Sequence, residues 1–189
     1  MNKKLKLLLI VLGVAALVVV VISFFIPTKT QQEPSPSPFE PGATYRGLTP
    51  GESTSEDVSK VLGTPVETSQ QGNETVNSYK STSPARDHTA DFLDNRLSFF
   101  KEIVSTYDKS VDVKSFEKKY GDPPYTLYGE ASYGGFNLYA YPEKGVAYIG
   151  NRDGNVITEI WYFPPTTFDN FKKTWAPNYS ETFSPNKLF

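Results

Sequence analysis

The sequence predicts an α+β protein with an N-terminal transmembrane helix, two antiparallel units of one helix and four strands, and a C-terminal helix. The helices are expected on one face of the sheet. Three observations lead to this fold class. A run of 20 uncharged residues extends from Leu7 to Ile26. A short amphipathic pattern ending in Gly-x-Pro occurs twice, and turn sequences that suit hairpins separate runs of alternating polarity.

The apolar run is long enough to cross a bilayer, because 20 helical residues rising about 1.5 Å each span roughly 30 Å. Lys3, Lys4 and Lys6 precede it, which predicts a cytoplasmic N-terminus and an extracytoplasmic remainder. A cleaved secretory signal is the alternative, although such signals have shorter apolar regions and end in small residues. The sequence therefore predicts a single-pass protein of the cell membrane that contacts the lipid bilayer through Leu7 to Ile26.

The segment after the apolar run is rich in proline. Pro27, Pro34, Pro36, Pro38 and Pro41 lie among polar residues, which favours an extended spacer over helix or sheet. We therefore predict five regions. They are a cytoplasmic stub and anchor (1–26), a Pro-rich linker (27–44), a first α+β unit (45–108), a second α+β unit with a closing helix (109–179) and a flexible tail (180–189).

An internal repeat is the basis for the two units. Gly63-Thr64-Pro65 and Gly121-Asp122-Pro123 each follow a short amphipathic stretch and stand 58 positions apart. Similar short matches follow in the predicted strands, which favours a tandem duplication. Coincidence is the alternative, because short matches are easy to find in strand-rich sequence.

Each predicted helix has a cap and a stripe of apolar residues. Ser53 or Thr54 can cap the first helix, Asp112 the second, and a threonine at the start of the segment Thr166 to Trp175 the closing helix. The stripes are Val58, Val61 and Leu62, then Val113, Phe116 and Tyr120, and finally Phe168, Phe171 and Trp175. Gly63 and Gly121 then end the first two helices, and the prolines that follow prevent their resumption.

The predicted strands are bounded by residues typical of turns, which indicates antiparallel meanders because short turns cannot form parallel crossovers. The turns are Gln71-Gly72-Asn73, Pro84-Ala85-Arg86-Asp87, Asp94-Asn95, Gly134-Gly135, Pro142-Glu143-Lys144-Gly145 and Asp153-Gly154-Asn155.

Composition excludes several classes of function. The chain has no cysteine, one histidine and a formal net charge of −2. It can hold no disulfide, thiolate nucleophile or Cys-ligated metal, and it lacks the basic excess typical of nucleic-acid-binding proteins. We expect no cofactor, no metal site and no nucleic-acid partner. His88 is expected to be solvated near a turn.

The residues before and within the first helix carry a resemblance to a known family. The pattern Leu48-Thr49-Pro50-Gly51-x-Ser53-Thr54-x-x-Asp57-Val58-x-x-x-Leu62-Gly63-x-Pro65, followed by Tyr79, resembles the opening motif of SmpA/OmlA (BamE)-type domains and of the beta-lactamase inhibitor protein. The resemblance implies helices packed on an antiparallel sheet, a tandem arrangement, and a role in binding rather than catalysis. The chain lacks the lipidated cysteine of the assembly factors, so their outer-membrane role is not carried over.

Tyrosines concentrate in the second unit. By strand parity Tyr139 and Tyr141 share one face, opposite Leu138 and Ala140. Tyr128 and Trp161 are expected to join the two tyrosines in a surface that binds another envelope protein. A purely structural role for these aromatics is the alternative.

Catalysis has weaker support in the sequence. Glu102 and Glu159 occupy matching strand positions, and paired carboxylates serve in glycosidases. A repeat produces such matches without chemistry, so we expect no catalytic residues. The alternative function is an envelope enzyme or a module that binds cell-wall glycan.

Overall fold

The structure is a computed structural model that describes residues 39–105, 107 and 110–184. Its helices are α1 (Ser55–Leu62), α2 (Val113–Tyr120) and α3 (Phe168–Thr174). Its strands are β1 (Glu67–Gln71), β2 (Glu74–Tyr79), β3 (His88–Leu93), β4 (Arg96–Ile103), β5 (Tyr125–Leu127), β6 (Asn137–Tyr141), β7 (Val146–Asn151) and β8 (Val156–Tyr162). Short 3-10 helices cover Glu130–Gly134 and Pro142–Lys144.

All eight strands form one antiparallel sheet in the order β1-β2-β3-β4-β8-β7-β6-β5. The two meanders meet where β4 pairs with β8, with Phe100 opposite Tyr162 and Lys101 opposite Trp161. This junction makes the sheet continuous from the first meander to the second.

The structure corrects the predicted fold class. Two helix-plus-four-strand units were expected, but the β4–β8 pairing merges the strands into one eight-stranded sheet. The helices also do not share a face, because Phe116 of α2 and Phe171 of α3 belong to different core clusters. No helix within the described residues is long and apolar enough to cross a membrane. The predicted span from Leu7 to Ile26 lies outside the described residues.

Side-chain caps start the first two helices. Thr54 caps α1 by accepting a hydrogen bond from the Asp57 amide, while the Asp57 carboxylate accepts one from the Thr54 amide. Asp112 caps α2 by accepting from the Ser115 amide at 2.7 Å. Gly63, with a φ of 86°, ends α1. Helices of eight residues are marginal alone, so packing on the sheet must hold them.

The inner face of the sheet, defined here as the face beneath α1 and α2, carries the larger core. Its buried residues include Tyr45, Val58, Tyr79, Phe92, Leu97, Phe100, Phe116, Tyr139, Tyr141, Tyr148 and Tyr162. Burial of this much aromatic and aliphatic surface stabilises both meanders together.

The outer face is covered by α3 and the segment after it. The buried residues there include Leu127, Leu138, Ala140, Ile149, Trp161, Phe163 and Phe171. Ser180 pairs with Tyr128 through two backbone hydrogen bonds of 2.7 and 2.8 Å, which fixes part of the segment expected to be a flexible tail. By contrast, Val76 and Leu93 on the outer face of β2 and β3 are 38% and 45% exposed.

Candidate binding groove

The two tyrosines predicted to form an open surface are buried on the inner face. Tyr139 is 5% exposed and Tyr141 is 2% exposed. The Tyr141 ring lies 6.0 Å from the Phe116 ring of α2, and its hydroxyl donates a 2.8 Å hydrogen bond to the Gly121 carbonyl. Both rings are therefore core side chains rather than contact surface.

Trp161 and Tyr128 do not join these tyrosines. Trp161 belongs to the outer core cluster, 7% exposed, with the ring of Tyr179 edge-on at 5.9 Å. Tyr128 is half-buried and its ring lies 5.6 Å from that of Phe183. The prediction of one shared face is wrong because helices cover both sides of the second meander, and strand parity cannot indicate where a helix packs.

The tyrosines of β6 and β7 hold α2 on the sheet. The Tyr148 hydroxyl donates a 2.7 Å hydrogen bond to Glu117 of α2, and burial together with this carboxylate raises the pKa of Tyr148. Arg152 pairs with the same Glu117 at 3.0 Å and with Asp122 at 3.3 Å. The abundance of tyrosine thus has a structural explanation, which is the alternative left open by the sequence.

A groove of about 730 Å³ opens on the outer face, lined in part by Tyr179 from the segment after α3, and is called the outer groove here. The residues relevant to binding come from five places along the chain. They are Arg86 before β3, Lys101 of β4, Phe136 before β6, Glu159 and Trp161 of β8, and Tyr179 after α3.

An ion pair lines the outer groove. The guanidinium of Arg86 pairs with Glu159 Oε1, and Arg86 Nη2 also donates to the Thr158 carbonyl at 3.3 Å. The indole nitrogen of Trp161 donates a 2.9 Å hydrogen bond to the other carboxylate oxygen of Glu159. The Glu159 side chain is 14% exposed, so a single half-buried carboxylate orients both a cation and an aromatic ring.

The rest of the groove combines apolar surface with one cation, Lys101, and one carboxylate, Glu130. Burial and the nearby Glu159 raise the pKa of Tyr179 to about 12, so its hydroxyl stays neutral. Lys101, opposite Trp161 in the ladder, has no ion-pair partner among the described residues. The groove therefore presents aromatic side chains, a neutralised ion pair and two further charges, the Lys101 cation and the exposed carboxylate of Glu130.

Glu102 and Glu159 lie on opposite faces of the sheet. In the β4–β8 ladder Glu102 stands opposite Ile160, and Glu159 stands opposite Ile103. Glu102 accepts a 2.8 Å hydrogen bond from the Tyr162 hydroxyl on the inner face, whereas Glu159 lies in the outer groove. These two carboxylates cannot flank one glycosidic bond. No group of three or more potential metal ligands occurs in the part of the chain that the structure describes.

His88 is buried rather than solvated. It is 8% exposed, and its Nδ1 accepts a 3.0 Å hydrogen bond from the Ile103 amide. The rings of Tyr45 and Phe100 lie 6.1 and 5.8 Å away. Burial, with a contribution from Arg46, lowers the pKa of His88, so the neutral imidazole is favoured.

Asp91 is an unusual acidic residue on the outer face of β3. Its Oδ1 is buried without a hydrogen bond within the described structure. Burial raises its pKa to about 6, while Lys101 opposes and Glu74 reinforces that shift. The surroundings thus shift the carboxyl group toward its neutral form, next to Val76 and Phe99 in the ladder.

Arg86 and Lys101 were not among the site residues predicted from the sequence. Arg86 falls in a turn and Lys101 in a strand that contains several charges, and neither context distinguishes it locally. The missing signal is the β4–β8 pairing, because it is this pairing that sets Lys101 beside Trp161. Paired strands 60 positions apart leave no mark on local periodicity.

Comparison with known proteins gives one structural similarity. Neither a family model nor a curated protein matches the sequence. The chain is similar to the crystal structure of a DUF4309 family protein (YjgB) from Bacillus subtilis, with 14% identity and a TM-score of 0.44. The match covers 63% of this chain and 83% of the Bacillus chain. The resemblance to SmpA/OmlA-type domains and the beta-lactamase inhibitor protein stays a prediction.

Proposed function

We propose that this chain is a non-enzymatic recognition domain that works outside the cell membrane and binds an envelope protein through the outer groove. The observation that carries the proposal is the cluster of Arg86 and Glu159 in the lining of the groove, with the buried indole of Trp161 supporting Glu159. Arginine is among the residues that supply most of the energy at protein interfaces. Here Arg86 is held in place before any partner arrives.

Preorganisation supports this assignment. Glu159 already fixes the guanidinium of Arg86 and the indole of Trp161, so little side-chain entropy remains to be lost on binding. Phe136 and Tyr179 extend the apolar surface on either side. Such a surface suits a partner segment that offers an apolar side chain to the floor of the groove.

The charges that line the groove indicate which side chains a bound partner segment should carry. Arg86 is already neutralised by Glu159, while Lys101 has no ion-pair partner among the described residues. An acidic side chain of the partner would pair with Lys101 at little cost, because Lys101 is only partly buried. We therefore expect the bound segment to combine an apolar residue with an acidic one.

Glycan binding is the second candidate, since the groove holds three aromatic residues, Phe136, Trp161 and Tyr179. A sugar ring stacks on an open aromatic face. Trp161 is only 7% exposed, which leaves little of its ring for such stacking. The geometry therefore favours a protein segment over a glycan chain.

The proposed location rests on the sequence alone. Residues 7–26 form an uncharged run after three lysines, which favours a protein held at the bilayer with its C-terminal part outside. Protease treatment of intact cells tests this directly. We expect loss of the C-terminal part without lysis, and protection until lysis would overturn the proposed location.

A crosslinking pull-down from the envelope of the source organism tests the groove. The bait is the full chain, compared with Lys101→Glu in the groove and Lys118→Glu on α2. Lys118 is exposed and belongs to a helix on the inner face, so the control makes the same charge change away from the groove. We expect Lys101→Glu to weaken capture of a specific envelope protein at least about tenfold and Lys118→Glu to leave it unchanged.

Three other outcomes decide against this assignment. Equal capture by both variants would move the interface away from the groove. Binding to purified wall polymer that Lys101→Glu abolishes would establish the glycan alternative instead. Absence of any specific capture, with both variants folded by circular dichroism, would overturn the recognition role of the groove.

A further inference from the structure

The two edges of the sheet differ in how they are protected. At one edge, β5 has only three residues, and the chain directly after it is paired, because Tyr128 exchanges two backbone hydrogen bonds with Ser180. At the other edge, all five residues of β1 are exposed, and no described strand lies beyond it. An open edge of this kind is a template for pairing with another strand.

β1 also lacks the devices that usually prevent such pairing. Its sequence, Glu-Thr-Ser-Gln-Gln, contains neither lysine nor proline. Its register with β2 runs without a bulge from Glu67 opposite Ser78 to Gln71 opposite Glu74. The edge is therefore regular over its full length.

The hairpin geometry determines which backbone groups of β1 are available. Gln71 and Glu74 flank the two-residue turn Gly72-Asn73 and so form the hydrogen-bonded pair that closes the hairpin. Hydrogen-bonded pairs alternate from there, so Ser69 bonds to β2 while Thr68 and Gln70 direct their N–H and C=O groups outward. The two N–H and two C=O groups of Thr68 and Gln70 therefore point outward along the open edge of β1.

We propose that β1 pairs antiparallel with β1 of a second copy of this chain, about a two-fold axis at Ser69. Thr68 then faces Gln70 of the second copy, and four main-chain hydrogen bonds form across the axis. The inference concerns a surface separate from the outer groove and does not depend on the proposed function.

The side chains of β1 are compatible with this self-pairing. Glu67 faces the neutral Gln71 of the second copy, and Thr68 faces Gln70, so no like charges stand directly opposite each other. The two Glu67 carboxylates are offset by four residues, about 14 Å along the strands, which exceeds the screening length of about 8 Å at physiological salt. β1 of a second copy can thus pair with this edge, because its outward hydrogen-bonding groups, its register and its charges are all compatible with antiparallel pairing.

Cysteine crosslinking tests the register, because the chain contains no cysteine of its own. Ser69 would form a non-hydrogen-bonded pair with itself, whose Cα atoms lie about 4.5 Å apart, within the range for a disulfide. Gln71→Cys is the matched control, since it lies on the same face of β1 but about 14 Å from its own counterpart. Under a mild oxidant, we expect Ser69→Cys to form covalent dimers at least about tenfold faster than Gln71→Cys.

Sedimentation of the full-length chain, in detergent that keeps its apolar N-terminal run dispersed, tests the pairing without covalent chemistry. Gln70→Pro removes an outward N–H and leaves the β1–β2 ladder intact, whereas Gln70→Ala keeps the N–H. A five-residue edge is a small interface, so we expect a concentration-dependent dimer in Gln70→Ala and a shift to monomer in Gln70→Pro. Equal crosslinking rates for the two cysteine variants, or identical sedimentation of the two Gln70 variants, would overturn the proposal.

Discussion

The Tyr148 hydroxyl of β7 donates a 2.7 Å hydrogen bond to Glu117 of α2, a contact between residues 31 positions apart. Glu117 also pairs with Arg152, which follows β7. The contact therefore joins a buried strand to a largely buried carboxylate of the helix above it. It is one of the specific links between α2 and the sheet, in addition to the burial of Val113 and Phe116.

Removing this hydroxyl should destabilise the fold. We expect Tyr148→Phe to lower the free energy of unfolding by about 1 to 3 kcal/mol, because a partly buried hydrogen bond to a charged acceptor is lost. Urea denaturation of the variant and the parent chain measures the change. Tyr125→Phe serves as the control, since Tyr125 is 38% exposed and its ring still stacks on Phe168 at 3.9 Å. An equal loss of unfolding free energy in both variants would show that the hydrogen bond to Glu117 contributes no more to stability than the hydroxyl of Tyr125.

The local parts of the fold can be predicted from the sequence because their signals are local. Thr54 and Asp112 cap α1 and α2, and a carboxylate or hydroxyl before an apolar stripe marks such a start. The cap of α3 is Thr167, one of the two threonines at the start of the predicted segment from Thr166 to Trp175.

The pairing of β4 with β8 and the position of α3 could not be predicted in this way. Whether Phe171 packs on the face of Tyr139 or on that of Leu138 depends on the path of the chain after β8. Both faces of β6 are apolar, so its sequence pattern is compatible with either arrangement. The site prediction failed for this reason, and the groove residues Arg86 and Lys101 meet Glu159 and Trp161 only through the long-range pairing of β4 with β8.

Asp91 should make the protein less stable as the pH rises through about 6. Its pKa is raised from 3.8 to about 6 in the folded state, so the folded chain binds more protons than the unfolded chain between these values. Stability from this group is present below pH 3.8 and is lost as the pH rises to about 6. Above that, the fold carries a desolvated charge.

The variant Asp91→Asn removes that charge without changing the size of the side chain. At pH 7 we expect it to raise the free energy of unfolding by about 1 to 3 kcal/mol, and at pH 4 to have little effect. Thermal or urea unfolding at both pH values measures the difference. Asp153→Asn, in an exposed turn, should have no comparable effect at either pH. Destabilisation by Asp91→Asn at pH 7 would instead indicate that the carboxylate has a favourable partner.

His88 should titrate below the ordinary histidine value of 6.5, because burial lowers its pKa. The unfolded chain gains a proton at a higher pH than the folded chain, so stability is present in full above about 6.5 and falls as the pH decreases below it. Since the chain has one histidine, a single imidazole resonance in an NMR titration reports its pKa directly. Asp91 acts in the opposite direction in an overlapping range, so stability is best followed in the Asp91→Asn background. A midpoint at or above 6.5 would contradict the burial of His88 described above.

A comparison of Gly145 with Gly72 distinguishes two reasons why a position requires glycine, namely a positive φ and a lack of space for a Cβ. Both have positive φ, 64° and 63°, and so both would be strained by a Cβ. A Cβ at Gly145 would also overlap the Phe163 carbonyl, whereas a Cβ at Gly72 meets nothing within 4 Å. The Phe163 amide donates a 3.0 Å hydrogen bond to the Gly145 carbonyl, so the two backbone segments cannot separate without losing that bond.

We expect Gly72→Ala to lower the free energy of unfolding, measured by urea denaturation, by about 1 kcal/mol, and Gly145→Ala by about 1 to 3 kcal/mol more. Equal costs would mean that the backbone at Phe163 yields freely, and the outer cluster around Phe163 would then be less rigid than its burial implies.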